Sequence, residues 1–326
     1  MTHVDAEVAP SRLVTWVDVA AAAQLACLLE ASAPKPGNVS PGRHFADTRY
    51  EDFLASAAAI GGPFAGAGER GVGATVRLAI EATRRWTASN TNLGIVLLLA
   101  PLARAVSSSE PRNPSPGSRA SIPDPRVPDP ESSIPDSQSP SPEPPLRLAV
   151  RRVLDTTTVD DARDVYAAIR LAAPGGLGKA ETEDVADEPS VTLLEAMCLS
   201  AHRDGIAREY ATAFDVTFEV GAPALQQARQ DGLSWDDAVV ETFLTVLAAS
   251  PDTHIARRAG DAVARDVSER ARQVLSAGGV RSEEGREAID RMDRALRDPR
   301  NARNPGTTAD LTAAALFVVL LQGCWT

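Results

Sequence analysis

Apolar residues recur along most of this chain at three- and four-residue intervals, the spacing that gathers them on one face of an α-helix. Trp16–Glu30 is apolar around most of its circumference and is predicted as a core helix. Thr48-Arg-Tyr-Glu51 fits a capping box and predicts a helix running to Ile60. The same period predicts helices over Gly71–Thr87, Asn92–Val106, Val159–Leu171, Val191–Ala213 and Trp235–Ala249, the last with Ser234 as its N-cap. Further on it predicts Thr253–Ser276, Glu283–Leu296 and Thr308–Leu321. Strand-type alternation is missing and no glycine-rich loop follows a strand, which excludes a Rossmann or P-loop nucleotide site. The expected fold is all-α, a bundle of about ten helices.

The periodicity stops in one place. From Ser107 to Pro145 the chain is Ser, Pro, Asp and Glu, holds 12 of the 24 prolines, and repeats itself as Ile122-Pro-Asp-Pro, Val127-Pro-Asp-Pro and Ile134-Pro-Asp-Ser. A segment with so little to bury cannot offset the entropy of ordering it. It is expected to be a disordered insertion (107–145) in a surface loop, with residues 1–106 and 146–326 forming one helical domain.

Composition sharpens this picture. Aromatics are only 4% of the 326 residues against 44% hydrophobic, so the apolar content is mostly Ala, Leu and Val, as suits closely packed helices. A formal net charge of −11 argues against binding nucleic acid or an anionic membrane. The apolar runs Leu93–Ala103 and Leu311–Leu321 fall short of the roughly 20 residues a membrane span needs. No basic-then-apolar start marks a signal peptide. Cys27, Cys198 and Cys324 are far apart and fit neither a disulfide framework nor a zinc site, so buried free thiols of a reducing cytoplasm are expected. Of the 33 basic residues only Lys35 and Lys179 are lysines, and both sit in Gly/Pro-rich turns.

Polar segments punctuating the helices are the candidates for chemistry. In Ala33-Pro-Lys-Pro-Gly-Asn-Val39, two prolines stiffen the backbone around Lys35, and Asn38 follows. The loop is either a phosphate cradle or a helix terminator with a solvated lysine. Ser89-Asn-Thr-Asn-Leu-Gly94 offers Asn90, Thr91 and Asn92 as caps, and aims a helix N-terminus at any bound anion. Pro174-Gly-Gly-Leu-Gly-Lys-Ala-Glu181 carries Lys179 and Glu181, followed by Glu183 and Asp184. That turn is an exposed acidic loop or a place for a magnesium–triphosphate complex. In a continuous helix from Asp252, residues His254, Arg258, Asp261 and Arg265 would form one polar stripe, with a histidine able to titrate near neutrality. Pro305, Gly306, Thr307 and Asp310 open the last helix as turn, cap and first-turn carboxylate.

Taken in order, these segments resemble the triphosphoribosyl-dephospho-CoA synthase family, from about Trp16 to the C-terminus apart from the insertion. The family's P-K-P-G turn is Pro34-Lys-Pro-Gly37, and its closing S-P-G-G-S-A-D-L is Asn304-Pro-Gly-Thr-Thr-Ala-Asp-Leu311. Its D-T-N segment near an R-x-G is Asp252-Thr-His254 with Arg258 and Gly260. Its N-T-H-K-G is Asn90-Thr-Asn-Leu-Gly94, without the histidine and the lysine, and its R-G-E-A region is matched only loosely by Gly178-Lys-Ala-Glu181. The resemblance implies a cytoplasmic transferase of prosthetic-group biosynthesis that uses ATP, with magnesium, and dephospho-CoA, and leaves a homo-oligomer open. It implies catalytic roles for Asp252, His254 and Asp310, with Asp252 and Asp310 also as metal ligands. It assigns substrate binding to Lys35, Asn38, Asn90, Asn92, Arg258, Lys179 and Glu181. A related transferase with a pterin or other nucleotide-cofactor acceptor, and a non-catalytic helical scaffold, are the alternative readings.

Overall fold

The last helix occupies the middle of the molecule because its sequence leaves it no solvent face. In the computed structural model, which describes residues 16–108, 144–175, 178–180, 182–323 and 325, residues 311–319 are all buried. That helix, α15 (Gly306–Leu321), contacts α1 (Trp16–Ser32), α5 (Leu93–Ser108), α10 (Ala222–Gln230) and α11 (Trp235–Ala249). A helix apolar all round has to be surrounded, and this one is.

The remaining α-helices in chain order are α2 (Tyr50–Ala59), α3 (Gly61–Ala65), α4 (Val72–Arg84), α6 (Pro145–Asp155) and α7 (Val159–Ala172). They continue with α8 (Leu193–Ser200), α9 (Gly205–Thr212), α12 (Thr253–Ala259), α13 (Asp261–Ser276) and α14 (Glu283–Leu296). A π-turn (Thr217–Gly221) and a 3-10 turn (Gly279–Arg281) complete the order. The described residues form no strand; a lone antiparallel bridge joins Ser40 and Arg43. The all-α expectation holds, with fifteen α-helical segments among the described residues rather than about ten.

The larger number has local causes. Gly260, at φ +94, breaks Thr253–Ser276 into α12 and α13, so the continuous stripe from His254 to Arg265 does not form. A turn before Asp204 likewise splits Val191–Ala213, and Asp204 caps α9 by accepting from Ala207 N–H. Thr48 does not open α2: Arg49 is the N-cap, and Asp52 reaches back to its N–H at 2.8 Å. Inside α5, Pro101 has no N–H for the Leu97 carbonyl, and the Tyr210 hydroxyl donates to that carbonyl at 2.7 Å. This bond pins α9 to α5 across the core.

Most of the proposed insertion, residues 109–143, lies outside the described residues. Pro145 belongs to α6, which packs on α5, so the helical body resumes one residue earlier than the pattern predicts. No described helix is long and apolar enough to cross a membrane. Cys27 is buried as expected, whereas Cys198 is exposed on the outer side of α8.

Candidate functional site

The N-terminal ends of four helices, α5, α9, α12 and α15, open onto one cavity of about 790 Å³, within the range of small-molecule sites. Its floor is apolar, with Leu97, Val165, Leu193 and Ile206 among the side chains from α5, α7, α8 and α9. Its rim and one wall are polar, and here the sequence-derived candidates meet. Asn90 lies at the mouth, its Oδ1 accepting from Leu93 N–H at 3.3 Å as the cap of α5. His254 and Arg258 come from α12 and Asp310 from α15.

Asp310 has the most unusual surroundings. Its carboxylate, partly open to the cavity, has no hydrogen-bond or ion-pair partner among the described residues, and a Cβ on Gly94 would fall 2.0 Å from its Oδ2. Glycine at 94 is what lets α5 come this close. Burial, and then the charges of Glu30, Asp252 and Asp204, push Asp310 well above the usual carboxylate range, with Arg257 opposing. His254 moves the opposite way: burial, then the charges of Arg257 and Arg258, lower it to about 4. It is therefore neutral at pH 7, which corrects the expectation of a group titrating near neutrality. Its Nε2 is buried without a partner, as is Asn304 Oδ1 on the turn before α15. Two orphaned polar atoms beside one cavity are rare enough to point to a ligand.

Four expected site residues lie away from the cavity. Lys35 is 1% exposed and does not line the cavity. Its Nζ pairs with the Glu30 carboxylate at 3.0 Å and donates to the Glu30 and Ala33 carbonyls, closing the C-terminal end of α1. The prolines and Gly37 serve that packing: Gly37 N–H donates to Asp293 Oδ1 at 2.8 Å, and a Cβ there would meet Leu296 and Pro305. Asn38 is buried in the same turn, with its carbonyl accepting from Arg297. Asp252 is 2% exposed, and both of its oxygens are taken by Ile255 and Thr308. It is turned to these backbone and hydroxyl donors and does not line the cavity. Asn92 is buried behind the wall, donating to Thr83 Oγ1 at 3.0 Å.

The glycine-rich turn after α7 joins the wall through Gly175, Gly178 and Ala180, while Lys179 itself is exposed away from it. Glu181 lies outside the described residues. Among the described residues no group of three His, Cys, Asp or Glu side chains is placed to hold a metal ion.

The pattern of the sequence did not single out several wall residues. Arg257 and Arg203 bring positive charge, and Arg257 is ion-paired to Asp204. Tyr166 faces the cavity from α7, with its hydroxyl donating to the Glu183 carbonyl at 2.8 Å and burial pushing it up to about 12. Asp204 ahead of Gly205 had a readable signal, a cap before an apolar run, but Arg257 and Tyr166 look like any other helical residue.

The chain is similar to known proteins. The sequence profile described as "CitG: ATP:dephospho-CoA triphosphoribosyl transferase" matches residues 17–326. The 2-(5''-triphosphoribosyl)-3'-dephosphocoenzyme-A synthase of Klebsiella pneumoniae is 34% identical over 119 residues, which is 36% of this chain and 42% of that protein. A protein of Pseudomonas paraeruginosa, provisionally given the same name, is 37% identical over 115 residues, 35% of this chain and 39% of its own. The matched part thus spans about two-fifths of these relatives' length. A crystal structure from Archaeoglobus fulgidus, provisionally named a triphosphoribosyl-dephospho-CoA synthase, superposes with a TM-score of 0.56 at 26% identity. It covers 83% of this chain and 99% of its own. Matched by the profile over nearly its whole length, the chain belongs to the ATP:dephospho-CoA triphosphoribosyl transferase family.

Proposed function

We propose that this cavity binds ATP and dephospho-CoA and transfers the triphosphoribosyl group of ATP to a ribose hydroxyl of dephospho-CoA, releasing adenine. The observation that carries the reading is the cavity lining itself: an unpartnered carboxyl, Asp310, together with a helix that brings a neutral histidine and two arginines. In the reaction the glycosidic bond from ribose C1 to adenine N9 breaks, and C1 forms a bond to the acceptor oxygen. The acceptor hydroxyl loses a proton and adenine gains one.

Asp310 suits the proton transfer, because a carboxyl held well above its ordinary range exchanges a proton closer to neutral pH. Its ionised form beside the sugar also stabilises the positive charge that develops at C1. His254, neutral, acts as a hydrogen-bond partner to sugar or base rather than as the proton carrier. Arg203, Arg257 and Arg258 supply the positive charge for the triphosphate, a part first expected of Lys35. Asn90 orients the ligand at the free N-terminal end of α5.

The donor set does not fit a resident magnesium ion, since Asp252 does not line the cavity and no group of three His, Cys, Asp or Glu side chains is placed to hold a metal among the described residues. Magnesium enters as part of the nucleotide substrate, and no step is assigned to it. The test is chromatographic detection of adenine from ATP, with and without dephospho-CoA, alongside mass analysis of the acceptor. Adenine release that needs dephospho-CoA supports the proposal. Nucleotide binding without release, or release only with a different nucleotide or pterin acceptor, removes dephospho-CoA from it.

A further inference from the structure

We infer that Asp252 is the positioning residue of the site: one buried carboxylate that clasps α12 and α15 together and so holds His254 and Asp310 in register in the cavity lining. This rests on the transferase reading for its kinetic test, though not for its spectroscopic one.

The geometry is that of a shared cap. Asp252 is the N-cap of α12, with Oδ1 accepting from Ile255 N–H at 3.0 Å. Its Oδ2 accepts from both the N–H and the hydroxyl of Thr308, each at 2.7 Å, although Thr308 lies 56 residues away in the first turn of α15. The N-cap of α15 is Pro305, whose side chain has no acceptor, so the first turn of that helix depends on a carboxylate from elsewhere. A second rung runs alongside, where the hydroxyls of Thr253 and Thr307 meet at 3.1 Å. Gly205 N–H donates to Thr253 Oγ1 at 3.0 Å, and Arg257 pairs with Asp204, which adds the start of α9 to the same knot.

Three helices are thereby laced at their N-termini, and each contributes to the cavity wall within about a turn of the lacing: Asp204 before α9, His254 on α12, Asp310 on α15. A short helix can be capped by a neutral Ser or Asn at the surface with no desolvation penalty. Burying a carboxylate costs far more, and the donors that converge on Asp252 offset only part of that cost, because burial still holds it above the usual carboxylate range. Serving two site-bearing helices at once explains why a charged cap stands in the interior. The charge has a second effect. Asp310 is faced by Glu30 of α1, Asp204, Asp252 and Arg257, so Asp252 is one of three like charges acting on it.

The test uses Asp252→Asn and Thr308→Val in the full chain, each checked by circular dichroism to be folded at the assay temperature. In Asp252→Asn one of the two oxygens becomes an NH2 group, so either the Thr308 donors or the Ile255 N–H lose their acceptor and the clasp is cut at one end. Adenine release should fall by about 100-fold in kcat, the scale of a misplaced catalytic group, while the KM for ATP changes little. Its pH profile should shift to lower pH, because removing a like charge lowers Asp310. Thr308→Val, which loses only the hydroxyl contact, should fall less, and the double variant should fall no further than Asp252→Asn. A folded Asp252→Asn with wild-type kcat and pH profile, or additive losses in the double variant, overturns the inference. If the wild-type protein releases no adenine, the transferase reading fails separately. The imidazole resonances of His254 then decide: a changed chemical shift in Asp252→Asn supports the clasp, and an unchanged one sinks it.

Discussion

Asp310 holds its proton in the folded chain at pH values where the unfolded chain has already given it up. Its folded value is raised above the ordinary 3.8 by burial and by three neighbouring carboxylates. The stability it contributes is therefore complete below about pH 3.8 and is lost as pH rises through its folded value. Asp310→Asn removes this liability, so the variant should gain melting temperature over wild type as pH rises from acid towards neutral, levelling off above that value. A constant difference across the range would show that Asp310 is not strained. Lys35 makes the opposite case. Removing it leaves Glu30 as an uncompensated buried charge, and loss of one partner of such a pair costs about 3–5 kcal/mol. Lys35→Met should therefore show that loss in urea unfolding, while ATP affinity of the folded protein stays within about twofold of wild type, far less than a lost charge-assisted contact would cost. Intact stability with lost ATP affinity would return Lys35 to the phosphate site. The sequence could mark Lys35 as exceptional but not say which charge it answers, because Glu30 is five residues back on a helix that looks uniformly apolar.

At the scale of elements, α11 and α14 match their predicted spans to the residue because each has a serine cap and a clean end. Helices broken by a single left-handed glycine, or by a reversal such as the one before Asp204, keep their apolar period across the break, and so they read as one. The same limit hid the close approach of α5 to α15, which Gly94 permits. Gly94→Ala tests that approach. Its new Cβ would occupy the place of Asp310 Oδ2, and the carboxylate can escape only by swinging away from the cavity wall. A single added methyl in a tight contact costs about 1–3 kcal/mol, so the fold should survive. The expected result is a folded protein with adenine release reduced far more than its stability. Unimpaired release would mean that Asp310 acts from a different rotamer, or does not act.

For the whole molecule, an apolar pattern identified what is buried but not what is opposite what. Asn90, His254, Arg258 and Asp310 were legible because caps and motif order mark them, and they share one cavity. Arg257, Tyr166 and the pairing of Asp252 with Thr308 were not, since each depends on packing between helices distant in sequence. The same reasoning bears on the Pro/Ser/acidic segment. A core that closes without it should not need it: α5 and α6, which flank residues 109–143, already pack against each other, and Leu102, Ala103 and Ala105 on one side and Val150, Val153 and Leu154 on the other are all buried in the described body. Replacing residues 109–143 with a short Gly/Ser link should therefore leave a single cooperative thermal transition near that of the full chain. Shortening a flexible loop removes closure entropy only logarithmically, about 0.6 kcal/mol per halving, so any change should be small and stabilising. Adenine release should persist as well, because the polar groups assigned to it, Asn90, His254, Arg257, Arg258 and Asp310, all belong to the described helical body. Loss of cooperativity on deletion would make the segment part of the core after all; retained folding with lost release would place it over the cavity as part of the site.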